Sequence, residues 1–252
     1  MKWACKRAFA LLIATGSLAA LGLQGAQAAL IQVGSAAALN ANLTIDWSVF
    51  GPPGATLFCF CSAPVGPLTV GINGSSGTLN RAQEGLDYTG NFAPGAQLLL
   101  QPFISDEMTV GFFNTLIFPQ PVAAVGTQIQ PLADLSHGFV GPFTGTMHVL
   151  TDDGLNVNFS VVGNSTQAED NSAPFIGVVS TTDDIIGVQF FADVGNPMFP
   201  EAGNIAINQM EVRVVPEPSS ALLAASAVVA MLSLGIFRRR VITRREATKR
   251  CP

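Results

Sequence analysis

Basic residues are almost missing from the body of this 252-residue chain. Between Arg7 and Arg238 the only bases are Arg81 and Arg213, whereas fifteen of the seventeen acids lie within residues 29–215, which gives that stretch a net charge of −13. A surface of that sign repels nucleic acid and anionic headgroups and attracts cations. No nucleic-acid partner is expected. Histidine is nearly as scarce, with His137 and His148 alone. A hydrolytic triad needs a histidine between a nucleophile and an acid, and the chain has no G-x-S-x-G elbow to present the nucleophile. Both histidines therefore read as surface or satisfied residues, and no catalytic residue is assigned.

Cysteine is limited to four residues, and Cys5 and Cys251 lie at the extreme ends. The remaining two, Cys59 and Cys61 in FCFC, lack the second pair that a tetrahedral zinc site requires. A bridge across one intervening residue needs a tight turn, because in a strand the two Cβ atoms stand too far apart. A strained bridge, two thiols and an intermolecular bond all remain open. Helical periodicity is also lacking in the body, where Gly and Pro punctuate short runs that alternate with period two. LTIDWSVF places Leu43, Ile45, Trp47 and Val49 on one face and so predicts a strand with Trp47 in the core. FTGTMHVL and LNVNFSVV, joined by Asp152-Asp153-Gly154, predict an antiparallel hairpin.

Further strands are expected at 175–181, 185–191 and 204–214, and earlier ones around 68–71, 97–102, 108–113 and 122–130. In NIAINQMEVRV the buried parity switches between Ile205, Ile207 and Met210, Val212, Val214, which implies a bulge or bend near Asn208 and Gln209. The sum is an all-β, antiparallel β-sandwich over residues 29–214. Three acidic pairs, Asp152-Asp153, Glu169-Asp170 and Asp183-Asp184, fall at predicted turns and read as solvated turn residues rather than glycosidase acids. Asp183, Asp184 and Asp193 flank one strand, and their carboxylates make calcium the one cofactor to be considered.

The two ends differ from the body. Lys2, Lys6 and Arg7, the apolar stretch Phe9–Leu23 and the small residues Ala26 and Ala28 form the three regions of a secretory signal peptide, with cleavage expected after Ala28. Near the other end, residues 219–237 carry no charge and at 1.5 Å per residue are just long enough to cross a bilayer as a helix. Arg238, Arg239 and Arg240 follow and hold the basic tail, residues 241–252, on the cytoplasmic side. Pro216 and Pro218 force the segment before that helix to be extended, so Val215, Pro216, Glu217 and Pro218 form a peptide that a processing enzyme can read.

The order VPEP, short apolar helix, arginine cluster over residues 215–240 resembles the PEP-CTERM sorting signal of bacterial exported proteins. The resemblance implies recognition of Pro216, Glu217 and Pro218 by an exosortase, a membrane-embedded transpeptidase, with the inner membrane holding the protein before processing and the cell surface or exterior receiving it. A looser likeness over residues 121–215 to jelly-roll ectodomains of such proteins implies a jelly-roll-like body. The expected function is that of a surface or matrix protein without catalytic activity, associated with exopolysaccharide in a biofilm. A second class is a glycan-binding, lectin-like module, calcium-dependent if the acids hold an ion.

Overall fold

The computed structural model of the chain describes residues 29–58, 61–73, 78–101, 115–134, 136–195 and 205–215. Strands dominate them, and every strand pairing is antiparallel. One sheet holds nine strands: β1 (Leu30–Val33), β2 (Leu43–Ile45), β3 (Thr56–Phe58), β6 (Thr78–Gln83), β7 (Gln97–Gln101), β9 (Ala124–Pro131), β12 (Phe175–Ser180), β14 (Ile205–Ile207) and β15 (Met210–Arg213). The other holds six, in the order β11 (Asn156–Ser165), β10 (Gly141–Thr151), β13 (Ile185–Asp193), β8 (Thr115–Val122), β5 (Leu68–Asn73) and β4 (Cys61–Val65). From β8 onward the chain changes sheet at most connections, so neither sheet is complete without the other. The two inner faces share one core, in which Val70, Phe118, Met147 and Val188 meet Ile45, Val125, Ile129 and Val178. This is the sandwich-like, all-β architecture that the period-two patterning predicts.

The outer faces of the two sheets differ. The nine-stranded sheet is covered on its outer side: α1 (Ala36–Leu39), a single turn capped by Ser35, buries Leu39, and it packs against β12 and β9. A second apolar cluster of Tyr88, Phe92, Leu132 and Ala173 covers Leu98 and Leu100, while Leu99 faces the main core. Being buried on both sides explains why β7 reads QLLLQ instead of alternating. The six-stranded sheet keeps the alternation on its outer side. In β10 every second residue from Phe143 to Thr151 is buried, and in β11 the even positions from Asn156 to Asn164 are exposed.

The β10–β11 hairpin forms in continuous register from Gly141 opposite Ser165 to Leu150 opposite Asn156, with Gly154 at φ +84° in the turn. The parity switch near Asn208 is a bulge: Asn208, Gln209 and Met210 stand opposite only Thr127 and Gln128 of β9, so Ile207 and Met210 can both be buried. LTIDWSVF differs from expectation. β2 ends at Ile45, and the Asp46 carboxylate then accepts the Ser48 N–H at 2.8 Å and caps a 3-10 turn over Trp47–Phe50. An aspartate in extended conformation offers the backbone this local alternative to the sheet ladder. Trp47 is nonetheless buried, as its position predicts, and Val49 turns outward at 43% exposure.

The strand expected around 108–113, Cys59, the signal peptide and the helix expected at about 219–237 lie outside the described residues. Among the described residues no helix is long and apolar enough to cross a membrane.

Candidate functional site

Of the sorting motif, Val215 alone lies within the described residues, 42% exposed and immediately after the buried Val214. Pro216, Glu217, Pro218, the arginines 238–240, and Ala26 and Ala28 lie outside them. The compact unit containing both sheets ends at Val214, so the motif begins with the first residue beyond it.

The acids selected for calcium are not brought together. Asp183 and Asp184 precede β13 and Asp193 is its last residue, so the length of the strand separates Asp184 from Asp193 by roughly 30 Å at about 3.3 Å per residue. Flanking a strand in sequence means standing at its two ends in space. Asp193 instead accepts the Gly195 N–H at 2.7 Å, and Asp183 adopts φ +58° in the preceding loop. Asp184 is met by a different pair, Asp152 and Asp153 of the hairpin turn, with ligand-type oxygens of all three within 4.8 Å. Sequence separation hid this grouping, which arises because β10 pairs with β13 and the Asp152 N–H reaches the Asp184 carbonyl at 3.0 Å.

Three of the six carboxylate oxygens of this cluster accept hydrogen bonds. Asp184, only 6% exposed, accepts the hydroxyls of Ser180 at 2.6 Å and Thr182 at 2.8 Å, one on each oxygen. Asp153 accepts the Thr151 hydroxyl and the Leu155 N–H, which hold its carboxyl below the usual carboxylate range. Calcium takes six to eight oxygens, and the three carboxylates offer at most six, three of them already accepting hydrogen bonds. Three close carboxylates repel one another, so Asp152→Asn is expected to raise the melting temperature by about 1–2 °C. Calorimetry with and without millimolar Ca²⁺ checks this, and a variant that melts lower than wild type only in calcium would assign an ion to the cluster.

His137 lies beside both a serine and an aspartate, yet the arrangement is not a triad. Ser136 Oγ at 2.9 Å and Asp134 Oδ1 at 3.1 Å both address the same ring nitrogen, Nδ1. A relay needs the acid on one nitrogen and the nucleophile on the other. Asp134 is the organiser of a surface turn: the backbone N–H and then the hydroxyl of Ser136, followed by His137, pull its carboxyl down to about 2. His148 stands on the outer face of β10, where its Nδ1 donates to Gln189 Oε1 at 3.0 Å.

Sequence reasoning passed over a buried polar group on the outer side of the nine-stranded sheet. Asn91 donates to Thr166 Oγ1 at 2.7 Å and Ser172 Oγ at 2.8 Å and accepts from Thr166 N–H at 2.6 Å, which ties the loop after β11 to the sheet. Gln130 accepts the Asn91 N–H at 2.8 Å, and Gly90 and Gly138 leave no room for a Cβ against Tyr88 and Gln130. Glu84, in the same region, accepts the Gly90 N–H on one oxygen while the other, like the Tyr88 hydroxyl and Arg81 Nε, has no protein partner. Burial pushes the Glu84 carboxyl up to about 7, with Glu169 adding to the rise and the N–H groups of Gly90 and Phe92 opposing it. These side chains are buried, so the cost of enclosing them enters the stability of the fold.

The outer face of the six-stranded sheet carries a row of polar side chains. His148 bonds Gln189, and Gln189 Nε2 donates to Thr115 Oγ1 at 2.7 Å, while Asn158 and Asn73 stand at the two ends of the same row in the register. The next row pairs Ser160 with Thr146, oxygens 3.2 Å apart, beside Phe191. Asp193 is the single acid and there is no lysine or arginine in the six strands. No signal in the sequence marked this face, because alternating Asn, Ser and Thr reads simply as the wet side of a strand. The chain matches no family model, no curated protein and no solved structure.

Proposed function

We propose that this chain is an exported, exosortase-processed surface or matrix protein without catalytic activity, associated with extracellular polysaccharide. The observation that carries the reading is the junction at residue 215: the last strand is paired up to Arg213, Val214 is buried, and V-P-E-P follows at once. A processing motif must be reachable as extended backbone, and a proline disfavours helical geometry in the residue before it. The enclosed state of the buried acids and the failed triad at His137 favour a non-enzymatic role. The jelly-roll relationship fits a chain that repeatedly alternates between two antiparallel sheets. A glycan-binding module is the second reading, and the charge-poor outer face favours it.

Replacing Pro216, Glu217 and Pro218 together by alanine is expected to leave membrane insertion intact and to abolish release of the tail. Mass spectrometry of surface-extracted protein gives the C-terminus directly. A wild-type protein still ending at Pro252 would leave a plain anchor and remove the sorting proposal.

A further inference from the structure

We infer that the outer face of the six-stranded sheet binds an uncharged, hydroxyl-rich polysaccharide chain, an assignment that rests on the reading of the protein as one exported into extracellular polymer.

Residues 29–215 carry a net charge of −13, yet this sheet contributes one carboxylate, Asp193 at the end of β13. The surrounding field repels polyanions, and the face offers no base to bind them. An uncharged polymer meets no such penalty. The available groups are hydroxyls, amides and an imidazole, which donate and accept hydrogen bonds as sugar hydroxyls do. They form a grid, with strands about 4.8 Å apart and same-face side chains about 6.7 Å apart along each strand. An extended, repeating ligand fits such a grid better than a compact one.

Rigidity is the second element. The His148–Gln189–Thr115 hydrogen bonds and the Thr146–Ser160 pair fix side chains across four strands before any ligand arrives, so little rotamer entropy is lost on binding. Phe191, half-buried in the Ser160–Thr146 row, adds an apolar ring against which the hydrocarbon face of a sugar can stack. A protein partner fits less well. Interfaces are anchored by clustered aromatic and aliphatic residues, whereas the most exposed large apolar residue here is Val162, 78% exposed on the edge strand β11.

The test is native affinity electrophoresis of the full chain in non-ionic detergent, with dextran, hydroxyethyl cellulose, galactomannan or alginate in the gel. Retardation by at least one uncharged polymer is expected, unaffected by EDTA. Ser160→Glu combined with Asn158→Ala alters exposed side chains only and should weaken retention at least about tenfold by introducing a charge on the face. Leu86→Glu, at a 70% exposed loop position, should not change it. No retardation by any uncharged polymer, or equal retardation of the double variant, would overturn the assignment. So would chelator-sensitive retention by alginate alone, which would indicate cation bridging. Self-association that the double variant abolishes, without glycan retention, would give the face to a second copy instead. The sorting proposal fails separately, at the C-terminus read by mass spectrometry.

Discussion

Trp47→Ala is expected to destabilise the folded chain by about 4 kcal/mol, within the usual range for deleting a fully buried aromatic ring. Trp47 is completely buried and lies in the 3-10 turn that packs against β4 of one sheet and against β6 and β7 of the other. Its ring therefore bridges the two sheets. Its Nε1 donates to the Asn208 carbonyl at 2.7 Å, inside the bulge that lets Ile207 and Met210 both face inward. Phe50 packs beside it with ring centroids 6.3 Å apart. Alanine removes the ring and a donor and leaves a cavity at the junction of the sheets. Trp47→Phe keeps most of the apolar volume and should lose about 1–2 kcal/mol, mainly the hydrogen bond and part of the ring. Urea unfolding followed by circular dichroism measures both. A cost below about 1 kcal/mol for the alanine variant would show that Trp47 does not hold the sheets together.

The second large effect is a loss of stability as pH rises. Glu84 has a folded-state pKa near 7 against an ordinary value of 4.5, because its carboxyl is buried and one oxygen has no partner. A carboxyl with a raised folded pKa binds its proton more tightly when folded. Its penalty is absent below about pH 4.5, grows as pH rises towards 7, and is constant above that. The chain should therefore be more stable at pH 5 than at pH 8 by about 2 kcal/mol, or roughly 4–8 °C in melting temperature. Asp134, Asp153 and Asp170 have lowered values, so their contributions disappear only at more acid pH and do not enter this window. Glu84→Gln mimics the protonated carboxyl and is expected to flatten the profile by raising stability at pH 8. Parallel profiles for variant and wild type would assign the slope to general acidic repulsion instead.

The all-β class and ten of the strands were legible in the residue pattern, whereas β1, β3, β4, β6 and β8 were not read from it. Period-two alternation is a local property, and LNVNFSVV places Phe159 and Val161 against the core whatever strand lies beside it, although Leu155 at its start turns outward. The parity switch in NIAINQMEVRV was equally legible, since a bulge is the local way to bury both Ile207 and Met210. Local pattern failed at Asp46, where a side chain competed with the ladder for a backbone N–H, and alternation could not register that contest. Which acids meet depends on strand pairing. Asp184 approaches Asp152 and Asp153 because β10 pairs with β13, while Asp193, nine residues from Asp184, is carried to the far end of the same strand. The same holds for the burial of Glu84 under the loop that Asn91 ties down, and for the row formed by His148, Gln189 and Thr115 from three strands. Facing direction is set within a strand by the backbone's own period; which strands become neighbours depends on contacts between residues far apart in the chain, and charge, burial and binding surfaces follow from those neighbours.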